Sequence, residues 1–173
     1  MRMGACLLVG LVSLAASEDA LAQDDMGGSS VSSDNRLGVG AETLLTTPFG
    51  PTGGAAFVYD AGLFRISALV YLLAVENSMD AFGIGARFFY VLHEGKAADF
   101  SVGAGIAVTH ADPDPGRDQT RAHVEGAAQL RAFITPSVAL NATVGLGLAF
   151  GEGAFQVSLG GQLTAGFGAT YYF

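Results

Sequence analysis

The residues able to do acid–base or nucleophilic chemistry are few. The 173 residues contain three histidines, His93, His110 and His123, and one cysteine, Cys6. Nucleophilic catalysis needs a base within hydrogen-bond reach of the attacking hydroxyl or thiol, and no His-x-Ser pair occurs. The stretch "HADPD" sets His110 beside Asp112 and Asp114, but no serine is close in sequence, so Ser78 would have to come across from another loop. The expected state of these groups is loop charge in water, and no catalytic residue is assigned. The run "DPDPGRD" (112–118) alternates carboxylates in a way that could meet Ca²⁺. It lacks the full spacing and closing Glu of an EF-hand loop, and its two prolines predict a stiff, solvated connection. No metal ligand and no cofactor are assigned. "GVG", "GIG", "GAG" and "GLG" recur, but each lies inside an extended segment. None opens a helix after a strand, which excludes a phosphate cradle.

A second group of polar residues has a different pattern. His123, Glu125, Gln129 and Arg131 fall on one face of an alternating segment, opposite its apolar stripe. Arg65 and Arg87 do the same in two other segments, and Glu42 in another. Charges that share a buried face must pair. The expectation is an interior ion-pair network of Arg65, Arg87, His123, Glu125 and Arg131, with Glu42 across from it. Two roles stand open: a structural plug, or a narrow pore whose salt bridges exchange.

The elements that would position these residues alternate with period two. Eight strands are predicted, each bounded by turn residues: 36–45, 55–59, 63–74, 80–92, 100–109, 121–134, 138–150 and 155–173. The third presents Phe64, Ile66, Ala68, Val70 and Leu72 on one face. The last presents Phe155, Val157, Leu159, Leu163, Ala165, Phe167, Tyr171 and Phe173. Inward glycines such as Gly83, Gly85, Gly103, Gly105, Gly145 and Gly147 are expected to make room for the Arg side chains.

Alternation does not say which face is outside; charge does. Half of the chain is hydrophobic, and charged residues are 14%, against about 25% in ordinary soluble proteins. From position 132 to the C-terminus the only charged residue is Glu152. A water-facing surface carries roughly 25–35% charged residues, so these strands cannot turn their second face to solvent. The apolar face therefore meets lipid and the quieter polar face lines a lumen. Twenty-five glycines and the lack of a long apolar run after the N-terminus argue against membrane helices. An even strand number places both ends on one side, the periplasm. Phe64, Phe88, Tyr90, Phe100, Tyr171 and Phe173 then fall at periplasmic strand ends, and Phe82, Phe150 and Phe155 near the outer rim. Two aromatic girdles result.

The N-terminus predicts export. Arg2 is followed by the apolar "ACLLVGLVSLAA" (5–16) and by "ALA" ending at Ala22, a signal peptide cut between Ala22 and Gln23. Residues 1–22 are thus assigned to the signal peptide, 23–35 to a flexible polar leader and 36–173 to the barrel. Removing the signal takes Cys6, Arg2, Glu18 and Asp19 and changes the formal charge from −8 to 7 − 14 = −7. That sign argues against nucleic acid.

An amphipathic final strand ending in Phe173, two residues after Tyr171, resembles the assembly signal of bacterial outer-membrane β-barrels. With the alternation from Arg36 onward, the chain resembles the small outer-membrane β-barrel family (OmpA/OmpX-like, opacity-protein-like). The resemblance implies an all-β, eight-stranded antiparallel up-and-down transmembrane barrel in the outer membrane of a diderm bacterium. It also implies insertion by the barrel assembly machinery with periplasmic chaperones. The short outer connections depart from adhesin members, whose long loops carry function. The expected partners are outer-membrane lipid and that assembly machinery, and the expected state is a monomer. The expected role is structural or envelope-related, without catalysis. The alternatives are a small channel for ions or hydrophobic solutes, or a soluble secreted barrel that binds lipid.

Overall fold

The computed structural model describes residues 35–47, 50–75, 79–113, 118–151, 154–159 and 165–173. The signal peptide, its cut between Ala22 and Gln23, and the leader up to position 34 lie outside the described residues. So do Ser78, Asp114, Glu152 and Leu163.

The chain forms strands β1 (Arg36–Thr47), β2 (Gly50–Asp60), β3 (Phe64–Val75), β4 (Met79–Glu94), β5 (Ala98–Pro113), β6 (Gln119–Thr135), β7 (Val138–Gly151), β8 (Ala154–Leu159) and β9 (Gly166–Tyr172). Each strand from β1 to β7 pairs antiparallel with the next. β9 pairs with both β7 and β1, which closes the sheet into a barrel. Both sides of β9 are paired, the arrangement by which strands satisfy their backbone groups in hydrocarbon. Among the described residues no helix is long and apolar enough to cross a membrane.

β8 and β9 lie one after the other along β7. Leu159 faces Leu146, and Gly166 faces Thr143. Together they are the eighth strand, predicted from the sequence over 155–173; positions 160–164 lie outside the described residues. Over this stretch β7 advances three residues while its partner advances seven, an excess of four. An even excess preserves alternation, so Phe155, Val157, Phe167, Tyr171 and Phe173 all face outward. Ala165 does not: it is buried, against the expectation that it shares their face. It stands just before β9, outside the strand, where strand periodicity does not dictate direction.

The strands also run longer than turn residues suggest. β2 begins at Gly50 rather than 55, and β5 reaches Pro113 rather than 109. Gly, Pro and Asp are poor strand formers, and pairing to a neighbour overrides that local preference. His93, expected in a turn, sits instead near the end of β4, opposite Phe100.

The apolar stripe is on the outside. Ile84, Ile106, Val124, Leu130, Val144 and Phe167 are all exposed, while the charged residues predicted for the interior are buried. On β4 the outward apolar run extends from Phe82 to Tyr90 and on β5 from Phe100 to Val108. Eight steps at about 3.4 Å, tilted as barrel strands are, give a height of roughly 20 Å, near the apolar band of such barrels. Asp80 and Asp112 are paired just beyond this band and mark its upper edge.

Gly83 is directly opposite Tyr71, and a Cβ at Gly83 would lie 2.1 Å from the Tyr71 ring. The glycine therefore makes room for a buried tyrosine rather than for an arginine. Gly83→Val is expected to lower stability by about 1–3 kcal/mol, the usual cost of overpacking. In a Tyr71→Ala background that loss should fall by more than half. Urea unfolding in micelles, followed by far-UV circular dichroism, measures both.

Candidate functional site

The lumen gathers the polar chemistry. Its buried ionisable groups include Glu42, Asp60, Arg65, Arg87, Asp99, His123, Glu125 and Arg131. An eight-stranded barrel has an interior just wide enough for side chains, so these groups must meet one another across the bore.

They do so at two levels. Near the end that holds both ends of the barrel chain, Arg131 on β6 reaches across the barrel to Asp60 at the end of β2. It also contacts Asp99 on β5 through Nε at 2.7 Å and Nη2 at 2.5 Å, and donates to the Tyr172 hydroxyl at 2.5 Å. Arg65 on β3 donates to the second Asp99 oxygen at 3.2 Å and lies 3.4 Å from Ser101 Oγ. Asp99 is thus shared by two guanidiniums. Asp60 has a double task. One carboxylate oxygen accepts from Arg131, and the other accepts the Gly62 N–H at 3.0 Å, fixing the turn in which Gly62 has φ 74°. Glycine takes that φ without the strain other residues would meet, so this turn and the ion pair are specified together.

The second level is higher in the barrel. Arg87 on β4 crosses the lumen to Glu42 on β1 at 2.6 Å and donates through Nε to Ser67 at 3.1 Å. A Cβ at Gly168 would lie 2.6 Å from Glu42 Cγ, so Gly168 makes room for that side chain. Above it, His123 Nε2 is 3.0 Å from Thr109 Oγ1. Glu125 packs against Gly147, where a Cβ would lie 2.9 Å from its Oε1. Apolar groups fill the spaces between: Val58, Leu69, Ala139 and Tyr172 in one cluster, and Leu44, Tyr71 and Ala107 in another.

The terminal-side mouth carries a stack. Arg131 lies 4.6 Å from the Phe133 ring centre, and Arg36 lies 4.7 Å from that of Tyr172. Arg36 also donates to the Pro136 carbonyl at 2.9 Å. Cations over aromatic faces gain about 0.5–2 kcal/mol each, more when desolvated.

All five residues predicted for the lumen, Arg65, Arg87, His123, Glu125 and Arg131, are buried and face inward. Ion pairs join the three arginines to Asp60, Asp99 and Glu42. Asp60, Asp99 and Tyr172 are the residues that sequence reasoning missed. Parity was the available signal, since each continues the inward set of its strand. The predicted strand bounds leave residues 60–62 and 93–99 to turns, which hid the two acids.

The three histidines stand apart, on β4, β5 and β6. His110 is half-buried on the outward face, with Nδ1 3.0 Å from Thr120 Oγ1 and its ring 5.4 Å from that of Phe82. Asp112 follows His110 by two residues on β5 and stands across from Asp80, while His110 stands across from Phe82. His93 is exposed. Among the described residues no group of three or more His, Cys, Asp or Glu could hold a metal ion.

Solved structures of other proteins share this fold. The N-terminal β-barrel domain of Pseudomonas aeruginosa OprF superposes with TM-score 0.57 and 15% identity, over 81% of this chain and 100% of that one. Neisserial surface protein A superposes with TM-score 0.50 and 17% identity, over 82% of this chain and 98% of that one. No protein-family model matches the sequence, and no curated protein matches it. The chain shares the closed, eight-stranded antiparallel barrel of these proteins.

Proposed function

We propose that this chain is an integral outer-membrane protein whose barrel is a filled, non-conducting wall element with a structural role in the envelope. One observation carries the reading: guanidinium–carboxylate bridges span the bore at two levels while the outer wall is apolar. A water-filled pore needs hydrated polar walls. Here Arg131, Asp60, Arg87 and Glu42 are each at most 6% exposed. The outward placement of the apolar stripe removes the cavity that a soluble lipid-binding barrel would need. Insertion by the barrel assembly machinery through a signal including Tyr171 and Phe173 belongs to this proposal, as do export through the N-terminal segment and a monomeric state. Both signal residues are exposed at the end of the last strand, open to a recognising partner.

Planar-bilayer recording tests the closed lumen. Purified, refolded protein is expected to insert without discrete conductance steps. Steps in most insertions would contradict a filled barrel and make the small channel the better reading.

A further inference from the structure

The outer wall is not uniform. A groove of about 390 Å³ opens on it across β5, β6, β7 and β9. Its lining mixes small residues, Ala128, Ala142 and Gly166, with large ones, Phe100, Leu130 and Phe167. The volume falls in the lower range of small-molecule sites, about 300–1,000 Å³. Small side chains flanked by large ones make a concave track on a surface otherwise studded with exposed Ile, Val and Phe.

The groove has a foot. It starts at Phe100, two residues into β5 from its terminal-side end, and climbs to Val144 and Phe167. The turn directly before β5 contains Lys96, the only lysine of the chain, which is exposed. That turn is held by the Gly95 N–H donating to the Ala98 carbonyl at 2.8 Å and by the Phe133 N–H donating to the Ala97 carbonyl at 2.8 Å. Lys96 is four residues from Phe100, at most about 13 Å along an extended chain. A cation at the membrane surface below an apolar track matches one kind of molecule: a lipid with an anionic headgroup and an acyl chain rising from it.

We propose that this groove binds one acyl chain of an anionic phospholipid of the periplasm-facing leaflet, with Lys96 meeting its phosphate. The proposal rests on the membrane-barrel reading above. Charge supports the choice of occupant. Without residues 1–22 the protein carries a formal charge of 7 − 14 = −7, and Lys96 is the basic residue four positions from the groove's Phe100. Each basic residue close to a membrane surface is worth about 1 kcal/mol toward anionic lipid.

The chain contains no tryptophan, so one introduced indole reports its own surroundings. Phe167→Trp places it in the groove, and Phe57→Trp places it on the outward face of β2 as a control. Each variant is reconstituted into phosphatidylcholine vesicles with increasing amounts of phosphatidylglycerol brominated on its acyl chains, and fluorescence quenching is measured. The expected result is an enrichment of brominated lipid of about threefold to tenfold at the groove indole relative to the control, equivalent to about 0.6–1.4 kcal/mol. Filling the groove with Ala142→Phe should abolish the enrichment, and Lys96→Gln should reduce it. Equal quenching at both positions overturns the proposal. So does weaker quenching at the groove indole than at the control, which would mean that a second copy of the chain covers the groove. Enrichment that survives Lys96→Gln unchanged overturns the assigned headgroup contact. Quenching at neither position would instead show that the barrel is not in the bilayer, and that is a failure of the membrane reading itself.

Discussion

Replacing Arg131 by Met is expected to lower the unfolding free energy by about 3–5 kcal/mol, the cost of removing one partner from a buried ion pair. Arg131 contacts Asp60, Asp99 and Tyr172 at once. Its loss leaves Asp60 as a buried carboxylate whose other bond is to the Gly62 N–H, while Asp99 keeps Arg65. The larger share of the penalty therefore belongs to Asp60. A second substitution, Asp60→Asn, removes that charge, keeps an acceptor for Gly62, and should restore more than half of the loss. The pair should thus be strongly non-additive, as expected for groups in contact. Urea unfolding in micelles gives the values. A loss below about 1 kcal/mol, the range of exposed salt bridges, would mean that water reaches this network and that the lumen is open.

The second large effect is on the outside. Ile106 is 63% exposed near the middle of β5's outward apolar run. In an aqueous protein, an exposed Ile→Arg change away from special features stays within about 0.5 kcal/mol. On the lipid face at mid-membrane the same change costs about 2–4 kcal/mol. Ile106→Arg is therefore expected to destabilise the barrel in phospholipid vesicles by that larger amount. Asp112→Arg, on the same face of the same strand but beyond the band, should cost about 0–1 kcal/mol. Equal, small effects at both positions would refute a lipid-facing wall.

Much of this architecture was legible in the sequence because a strand's period is fixed at two. Once Arg65, Arg87, Glu125 and Arg131 share a parity opposite to Ile66, Phe88, Val124 and Leu130, the charge-poor C-terminal stretch decides which face is out. The seam is legible as well, since Phe167, Tyr171 and Phe173 keep one parity to the end of the chain. What was lost lies at strand ends. Asp60 and Asp99 look like turn residues, and whether such a carboxylate points to water or to an arginine depends on which distant strand stands opposite. That is decided by register around the whole barrel, not by neighbours in sequence. Arg131 meets Asp60 across 71 positions and Arg87 meets Glu42 across 45. The four-residue register offset between β8 and β9 escaped for a related reason. An even excess of residues leaves the odd-numbered apolar set in phase, so alternation carries no trace of it. Ala165, turned inward, departs from the pattern.

The measurement that bears most directly on the central claim is made on membranes. The full chain is expressed in a diderm host, outer membranes are washed with urea, and boiled and unboiled samples are compared on an SDS gel. The expected result is a band that survives the wash and migrates differently when unboiled, because a closed barrel held by backbone pairing and buried ion pairs resists SDS until heated. A protein removed by urea, or found in the periplasm without a heat-dependent shift, would contradict a membrane-integral barrel.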